Sequence, residues 1–497
     1  MLRNLKIWSL ALLGLTFGAC KKLMNVNTNP NVAQGTTLKT LLPAGELYLA
    51  SAVGVDLQIT GAFFSQYWTQ NPSTTYYQFL DQYSPQQKYF DNSWTNLYAA
   101  CENLYQLQNL ADSQSSPQYK AIALLLEAYS FQILTDGWGN VPFKQALKGQ
   151  YQNGNLISPV YDTQSVIYNG IIGYIDSAVK IIKTGSSVVG SEDLIYGGNM
   201  TEWLKFAYTL KLKVYMRMSN ANPVAAQAGI TALLNTAGVM FIGTGDDAFI
   251  NFTAKNNNPL YAEQNGIGGQ NFAASATCID SMTNNMDPRM DIFYEPTVGG
   301  LYAGIQQGNY NGGAVNYSIP SGFVAGDVNN TTSGTAPVNL LTSYESYFLQ
   351  AEVVARGWGA VPYGYSDNQL FLDGISANFN YYNNQLIAAT GTTGSLSYNI
   401  YIARNMPAVR YPAAGTVEQK VRYIILQKWY AMCGNQSFEA WTELRRTGLD
   451  SILTPSVNSG IGMKVPKRLL YPAVEASTNA KYPGLAPITS KMWWDIY

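Results

Sequence analysis

A mainly α-helical fold, with helix pairs stacked into a superhelix and long irregular loops left to bind a ligand, is what three observations in this sequence predict. Apolar residues recur with the helical period from Leu38 onward. Helix ends carry capping signals, and two long stretches rich in Gly, Asn, Thr, Ser and Tyr interrupt the period.

The first element is an export signal. Arg3 and Lys6 give a positive start, residues 7–17 are uncharged and apolar, and Gly18-Ala19 are the small residues a signal peptidase accepts. The run is too short to span a bilayer. Cys20 directly after the small pair is the bacterial lipobox arrangement, in which the thiol takes a diacylglycerol and the freed amine a third acyl chain. Burial of each CH2 group is worth about 0.8 kcal/mol, so several chains anchor firmly where one holds marginally. An ordinary secretory signal followed by a chance cysteine is the alternative, because Phe17 stands where leucine is commoner. Residues 20–37, with Asn29-Pro30-Asn31, read as a lipidated tether, and residues 38–497 as one helical domain. Removing residues 1–19 of 497 leaves 478 with no further segment of transmembrane length.

Within that domain, Ile122, Leu125, Leu126, Tyr129 and Ile133 fall at i, i+3, i+4, i+7 and i+11, and Trp203, Phe206, Ala207, Leu210 and Val214 repeat the spacing. Similar stripes run through 88–112, 163–183, 343–356 and 417–433. Thr416 with Gln419 forms a capping box, Asp287-Pro288 an N-cap with proline at N1, and Arg445, Arg446 and Gly448 a helix C-terminus. Consecutive pairs predict stacked helical hairpins, although no strict 34-residue repeat is present. Residues 240–340 lose the period except around 272–286 and read as a long irregular insertion, with GIGGQN at 266–271 and GNYNGGAVNYS at 308–318. The stretch 65–87 is also irregular and loaded with rings.

Composition narrows the function. Net charge is −1 and charged residues are 12% of the chain, about half the usual share, so neither nucleic acid nor a polyanion is the expected partner. Tyrosines number 36 against 18 phenylalanines, which favours rings lying at a surface with the hydroxyl in water and suits a hydroxyl-rich ligand such as a sugar. The other reading of a Tyr-rich chain is that the hydroxyls are satisfied internally. The chain has no histidine, which removes Ser-His and Cys-His nucleophile systems and nearly every zinc site. Only carboxylate chemistry remains for an enzyme, and a glycoside hydrolase drawing on Asp136 or Asp246-Asp247 would need two carboxyls held about 5–9.5 Å apart. No catalytic residue, metal or cofactor is assigned. Cys101, Cys278 and Cys433 are widely spaced and read as buried small hydrophobes, with a bridge between two of them left open.

Several segments together carry a family resemblance: NVNTNPNVA (25–33) followed by LLPAGELYLA, TDGWGNVPFKQAL after a helix ending at Leu134, MDPRMDIFY (286–294), YFLQAEVVARGW (347–358), ILQKWYAM (425–432), EAWTELRRTGL (439–449), PKRLLYP (466–472) and KMWWD (491–495). In that order they resemble the SusD/RagB family, in particular its SusD-like lipoprotein subgroup. The resemblance implies a tetratricopeptide-like α-superhelix on the Bacteroidetes outer membrane, facing the cell exterior. It implies a hinged, non-catalytic lid that captures an oligosaccharide or peptide and delivers it to a SusC-like TonB-dependent transporter. Lys21 and Lys22 stand where surface-exported members often carry acidic residues, so outward and periplasmic orientations both remain open. A free-standing scaffold or adhesin is a further alternative. The shared motifs read as architectural: Gly137 and Gly139 turn the chain, Asp136 bonds nearby amides, Trp138, Pro142 and Phe143 pack the turn, and Trp493 and Trp494 pin the C-terminal segment.

Sugar rings present an apolar face and a fringe of hydroxyls, so a site needs exposed aromatic planes beside neutral amides. We expect Trp68, Tyr76 and Tyr77 to stack the ligand, Asn71, Tyr261, Gln264 and Tyr310 to line the rim, and loops at 261–271 and 302–317 to close over it. The competing reading places Tyr67 and Trp68 in the core under helix ends.

Overall fold

The computed structural model describes residues 36–149, 156–313, 315–391 and 396–497. The export signal, Cys20 and most of the tether lie outside them.

The chain is mainly helical. We label α1 (Leu38–Gly54), α2 (Asp56–Phe64), α3 (Asp91–Ser113), α4 (Pro117–Trp138), α5 (Gln164–Thr184), α6 (Met200–Arg217), α7 (Pro223–Leu234), α8 (Pro259–Ile267), α9 (Ala276–Asn284), α10 (Ser343–Ala355), α11 (Asp367–Thr390), α12 (Val417–Ala431) and α13 (Ser437–Thr447). Neighbours in sequence pack as antiparallel hairpins, α3 on α4, α4 on α5, α5 on α6, and α10 on α11, so the stack grows as a superhelix. The first and last helices close it: α1 lies on α3, and α2 crosses α13.

The predicted stripes are all buried, from Ile122 to Ile133 and from Trp203 to Val214. Helix α4 is enclosed on nearly every side, since all its residues from Gln118 to Trp138 except Lys120 are buried. A helix surrounded by others loses the polar face that makes periodicity visible. Residues 38–64, 27 in all, reach transmembrane length and apolarity after all, with mean hydropathy 1.4 over an 18-residue stretch. They form two helices broken at Val55 and mostly buried against the stack, which accounts for that apolarity as core.

Close approach at one glycine positions α2. A Cβ on Gly61 would stand 2.3 Å from the amide nitrogen of Phe438, so only glycine permits this crossing. Gln58 secures it, donating from Nε2 to Ser437 Oγ (2.8 Å) and accepting from the Ser437 amide (3.1 Å), which satisfies an orphan donor at the start of α13.

Buried charges hold the hairpins together. Arg217 from α6 reaches Asp136 of α4 (3.1 Å), and Glu439 (2.5 Å) and Glu443 of α13. Arg446 pairs with Glu352 of α10 (2.6 Å) and Glu443 (2.8 Å), and Lys213 with Glu345 (3.0 Å) and Glu439 (3.1 Å). Arg445 and Arg446 occupy the last turn of α13 before Gly448 in the left-handed conformation, as the sequence predicts, but both are buried. The capping box at Thr416 and Gln419 also forms.

Three expectations are corrected. Helix α4 runs on to Trp138, with Gly137 inside it, and the chain turns at Gly139 (φ +88°) alone. Asp136 bonds no neighbouring amide with its carboxylate; that group faces Arg217, Tyr168 and the Trp494 indole (3.1 Å), and so ties the C-terminal segment to α4. Trp494 is buried as expected and Trp493 half-buried. Asp287 Oδ1 accepts from the Arg289 amide (3.0 Å) as a cap does, but the regular helical turn Met290–Phe293 starts two residues beyond Pro288, and the carboxylate also pairs with the Arg289 guanidinium (2.5 Å) in the core.

The 240–340 insertion is more ordered than its composition implies. Asn258 caps α8, accepting from the Leu260 (2.8 Å) and Tyr261 (3.3 Å) amides, with Pro259 at N1. That correction has a simple source, because NNNP is both a loop signal and a helix start. The segment also supplies short strands that pair antiparallel with one another or with the rest of the chain. One pair frames the site: β1 (Trp68–Gln70) against β2 (Phe272–Ala274), with Trp68 opposite Ala274 and Gln70 opposite Phe272.

Candidate functional site

After α2 the backbone turns through the left-handed Gln66 (φ +57°) into β1, and the ladder with β2 fixes where the ring-rich stretch lies. From there a stack of rings leads outward. Trp68, fully buried, lies on Phe272 with centroids 4.8 Å apart and planes at 25°; Tyr77 lies on the same Phe272 (5.3 Å, 27°). Tyr76 meets Tyr77 edge-on at 4.9 Å and is 51% exposed. Offset stacks and T-shaped contacts at these separations are the favoured aromatic geometries.

Beside this stack opens a cavity of about 600 Å³ lined by Tyr76, Tyr77, Phe79 and Tyr89, by the neutral polar side chains of Gln82, Ser84, Gln86 and Asn92, and by Asp56, Glu263 and Lys88. That size falls in the range of small-molecule sites. Phe79 and Tyr89 pack edge-on at 4.9 Å. Burial pushes the Asp56 carboxyl up to about 7, the charge of Glu263 adds to the rise, and the Ser93 amide opposes it. Burial likewise drives the Tyr77 phenol upward, so its hydroxyl stays neutral while accepting from Gln264 Nε2 (2.8 Å). The arrangement offers flat rings, neutral donors and acceptors, and one carboxyl poised to keep its proton.

Of the residues expected at the site, Tyr76 and Tyr77 line the cavity, and Gln264 stands directly behind Tyr77, itself oriented by Asn271 (3.0 Å). Trp68 is corrected to a packing ring: with no exposed surface it supports Phe272 instead of meeting a ligand. Asn71, 4% exposed, fastens a loop by accepting from Tyr317 (2.7 Å) and the Ser73 amide (2.9 Å). Tyr310 is buried and its hydroxyl accepts from Gln82 (2.6 Å), holding a cavity residue in place. Tyr261 packs its ring toward Gly334, away from the cavity lining.

The described part of the 302–317 loop lines no part of the cavity and is fastened behind it at Gln307. Gln307 donates to buried Asp81 (2.6 Å), which also accepts from Thr69 (2.7 Å) and the Gln70 amide (3.0 Å). Asp56, Phe79, Gln82, Tyr89 and Asn92 went unassigned at the sequence level. The only available signal for Phe79 and Gln82 was their place in the ring-rich stretch, and Asp56 gave none, because its position depends on the α1–α2 break.

A helical superhelix whose loops build a cavity of rings and amides defines a class of ligand-binding scaffolds. The chain belongs to the SusD-like family, whose profile, described as "Starch-binding associating with outer membrane", matches residues 30–472. No curated protein matches the sequence. Among solved structures it is similar to a chitin-binding protein (24% identity, 92% of this chain and 100% of that one, TM-score 0.74). It is also similar to a chitin-binding SusD homologue from Flavobacterium johnsoniae (22%, 92% and 98%, TM-score 0.73) and to a SusD homologue from Bacteroides fragilis (22%, 93% and 99%, TM-score 0.73). These likenesses establish the shared fold.

Proposed function

We propose that the protein is a lipid-anchored outer-membrane receptor that binds a neutral nutrient oligosaccharide at the Tyr76 cavity and passes it, as a hinged lid, to a SusC-like TonB-dependent transporter. The observation that carries the reading is the pairing of an exposed ring edge with neutral amides in a cavity of about 600 Å³, in a chain of this family. Chitin binding by two of the similar proteins makes N-acetylglucosamine oligomers the first ligands to try, and the family description makes maltooligosaccharides the second.

The carboxylates that the sequence offered to a hydrolase all stand outside the Tyr76 cavity. Asp136 is buried and paired with Arg217, Asp247 accepts from Ser343 (2.7 Å), and Asp246 pairs with Lys205 (2.9 Å). A second reading, peptide capture, draws on Asp56, Glu263 and Lys88, whose charges suit peptide termini and side chains. Titration calorimetry with chitohexaose, maltohexaose and a mixed tetrapeptide library separates the two. Heat with a glycan that Tyr76→Ala weakens about fivefold supports the proposal, and heat with peptides alone overturns it. Recovery of the transporter barrel with a tagged chain from native membranes tests delivery, and loss of palmitate labelling in Cys20→Ser tests the anchor.

A further inference from the structure

A second cavity, of about 300 Å³, opens between α6, the 240–246 segment, α10 and the turn at 362–365, and shares no lining residue with the first. Tyr363 and Tyr365 form its rim. Their ring centroids are 5.9 Å apart with planes at 32°, and they are 84% and 44% exposed. The backbone of Tyr363 is left-handed (φ +71°), a conformation disfavoured for any side chain and maintained where the surroundings impose it. Burial does not account for a tyrosine there, since its ring is in water. What the strained turn achieves is to set two aromatic faces side by side at the mouth of a cavity.

Met240, Phe241 and Ile242 give the cavity an apolar side, and the polar groups across from them are fixed. Lys205 is held between Asp246 (2.9 Å) and Glu202 (3.2 Å), and Asp246 also accepts from the Gly243 amide (3.0 Å). Gln350 is buried beneath, donating to Ser346. With its ammonium already occupied by two carboxylates, Lys205 is not a free cation for recruiting an anion. Pre-set acceptors beneath paired rings match instead the hydroxyl fringe and apolar face of a sugar.

We propose that this cavity is a second glycan-binding site, taking one or two units of the same neutral chain that the Tyr76 cavity holds. Its volume, at the lower end for ligand sites, excludes a longer segment. Two sites on one rigid scaffold raise retention on a polymer well above either alone. The ligand class rests on the reading of the first cavity, while the placement stands on the Tyr363 turn.

Affinity gel electrophoresis of the full mature chain in detergent, through glycol chitin and through soluble starch, tests it with wild type, Tyr76→Ala, Tyr363→Ala/Tyr365→Ala and the triple variant. The exposed positions leave folding intact, which circular dichroism checks. The expected result is retardation of wild type by one polysaccharide, about fivefold weaker in each of the two separate variants and lost in the triple. A Tyr363/Tyr365 variant that migrates like wild type while Tyr76→Ala is released overturns the second site and leaves the first standing. The reverse pattern keeps the second and removes the first. Wild type running free in both gels, or both variants matching a retarded wild type, removes both.

Discussion

Phe272 is clamped between Trp68 and Tyr77, at 4.8 Å on one side and 5.3 Å on the other, so a strand of the insertion carries the load between the core and the cavity. The three rings differ in what they lose on truncation. Trp68→Ala opens a cavity in a fully buried place and is expected to cost about 3–5 kcal/mol of stability. Tyr76→Ala, at the exposed tip, is expected to change stability by less than about 0.5 kcal/mol while weakening ligand binding. Urea melts of both variants, set beside their glycan affinities, check the division; equal melts in the two would place Trp68 outside the core.

Arg217→Met is expected to destabilise the fold by about 3–5 kcal/mol, because it leaves Asp136, Glu439 and Glu443 buried with a lost partner. Lys211→Met, on the same helix but paired at the surface with the exposed Asp176 of α5, serves as control and is expected to cost under about 1 kcal/mol. Similar melting temperatures for the two variants would show that the buried network does not join α4, α6 and α13.

The helices were legible because most keep one polar face: the 417–433 and 163–183 stripes became α12 and α5 with boundaries close to those expected. The buried charges were not legible. Arg445 and Arg446 look from the sequence like ordinary cations in a last turn, and only the packing of α13 against α4, α6 and α10 encloses them. The sequence marks the stretch that borders the cavity, but not which of its side chains line it. Residues 65–87 do supply Tyr76, Tyr77, Phe79 and Gln82, yet ring count cannot say which ring faces inward. Trp68 is drawn inward by its strand pairing with the segment carrying Phe272, far away in sequence, whereas Tyr76 lies in the turn beyond that ladder.

Cys101, Cys278 and Cys433 are free and buried, with the Cys278 and Cys433 sulfurs 3.9 Å apart. Burial pushes the Cys101 and Cys433 thiols upward, which suppresses the reactive thiolate. In a form lacking residues 1–20, these thiols are expected to resist Ellman's reagent at pH 8 until guanidinium unfolds the chain, and then all three to react. Rapid labelling of the native protein would contradict this burial.

Asp81, buried behind the cavity, gives the fold a pH dependence whose sign is fixed. Burial raises its carboxyl to about 7 against the pull of Thr69, Gln70, Gly308 and Gln307, so the folded chain holds a proton that the unfolded chain releases near its ordinary value of 3.8. The folded state therefore binds more protons between about pH 4 and 7, and its stability falls as pH rises through that window, then levels off. Asp56, also raised to about 7, and Glu127, raised to about 8, bend the curve the same way, so the wild-type profile alone does not isolate Asp81. Asp81→Asn removes the titration while keeping an acceptor for Thr69 and the Gln70 amide. Among the described residues Gln307 Oε1 is enclosed without a partner, so rotating that amide lets it receive the new N–H. The expected outcome is a wild-type advantage in melting temperature that is largest near pH 4 and shrinks toward pH 7.5. A difference that stays constant across the range would mean that Asp81 is ionised throughout and would contradict its raised carboxyl.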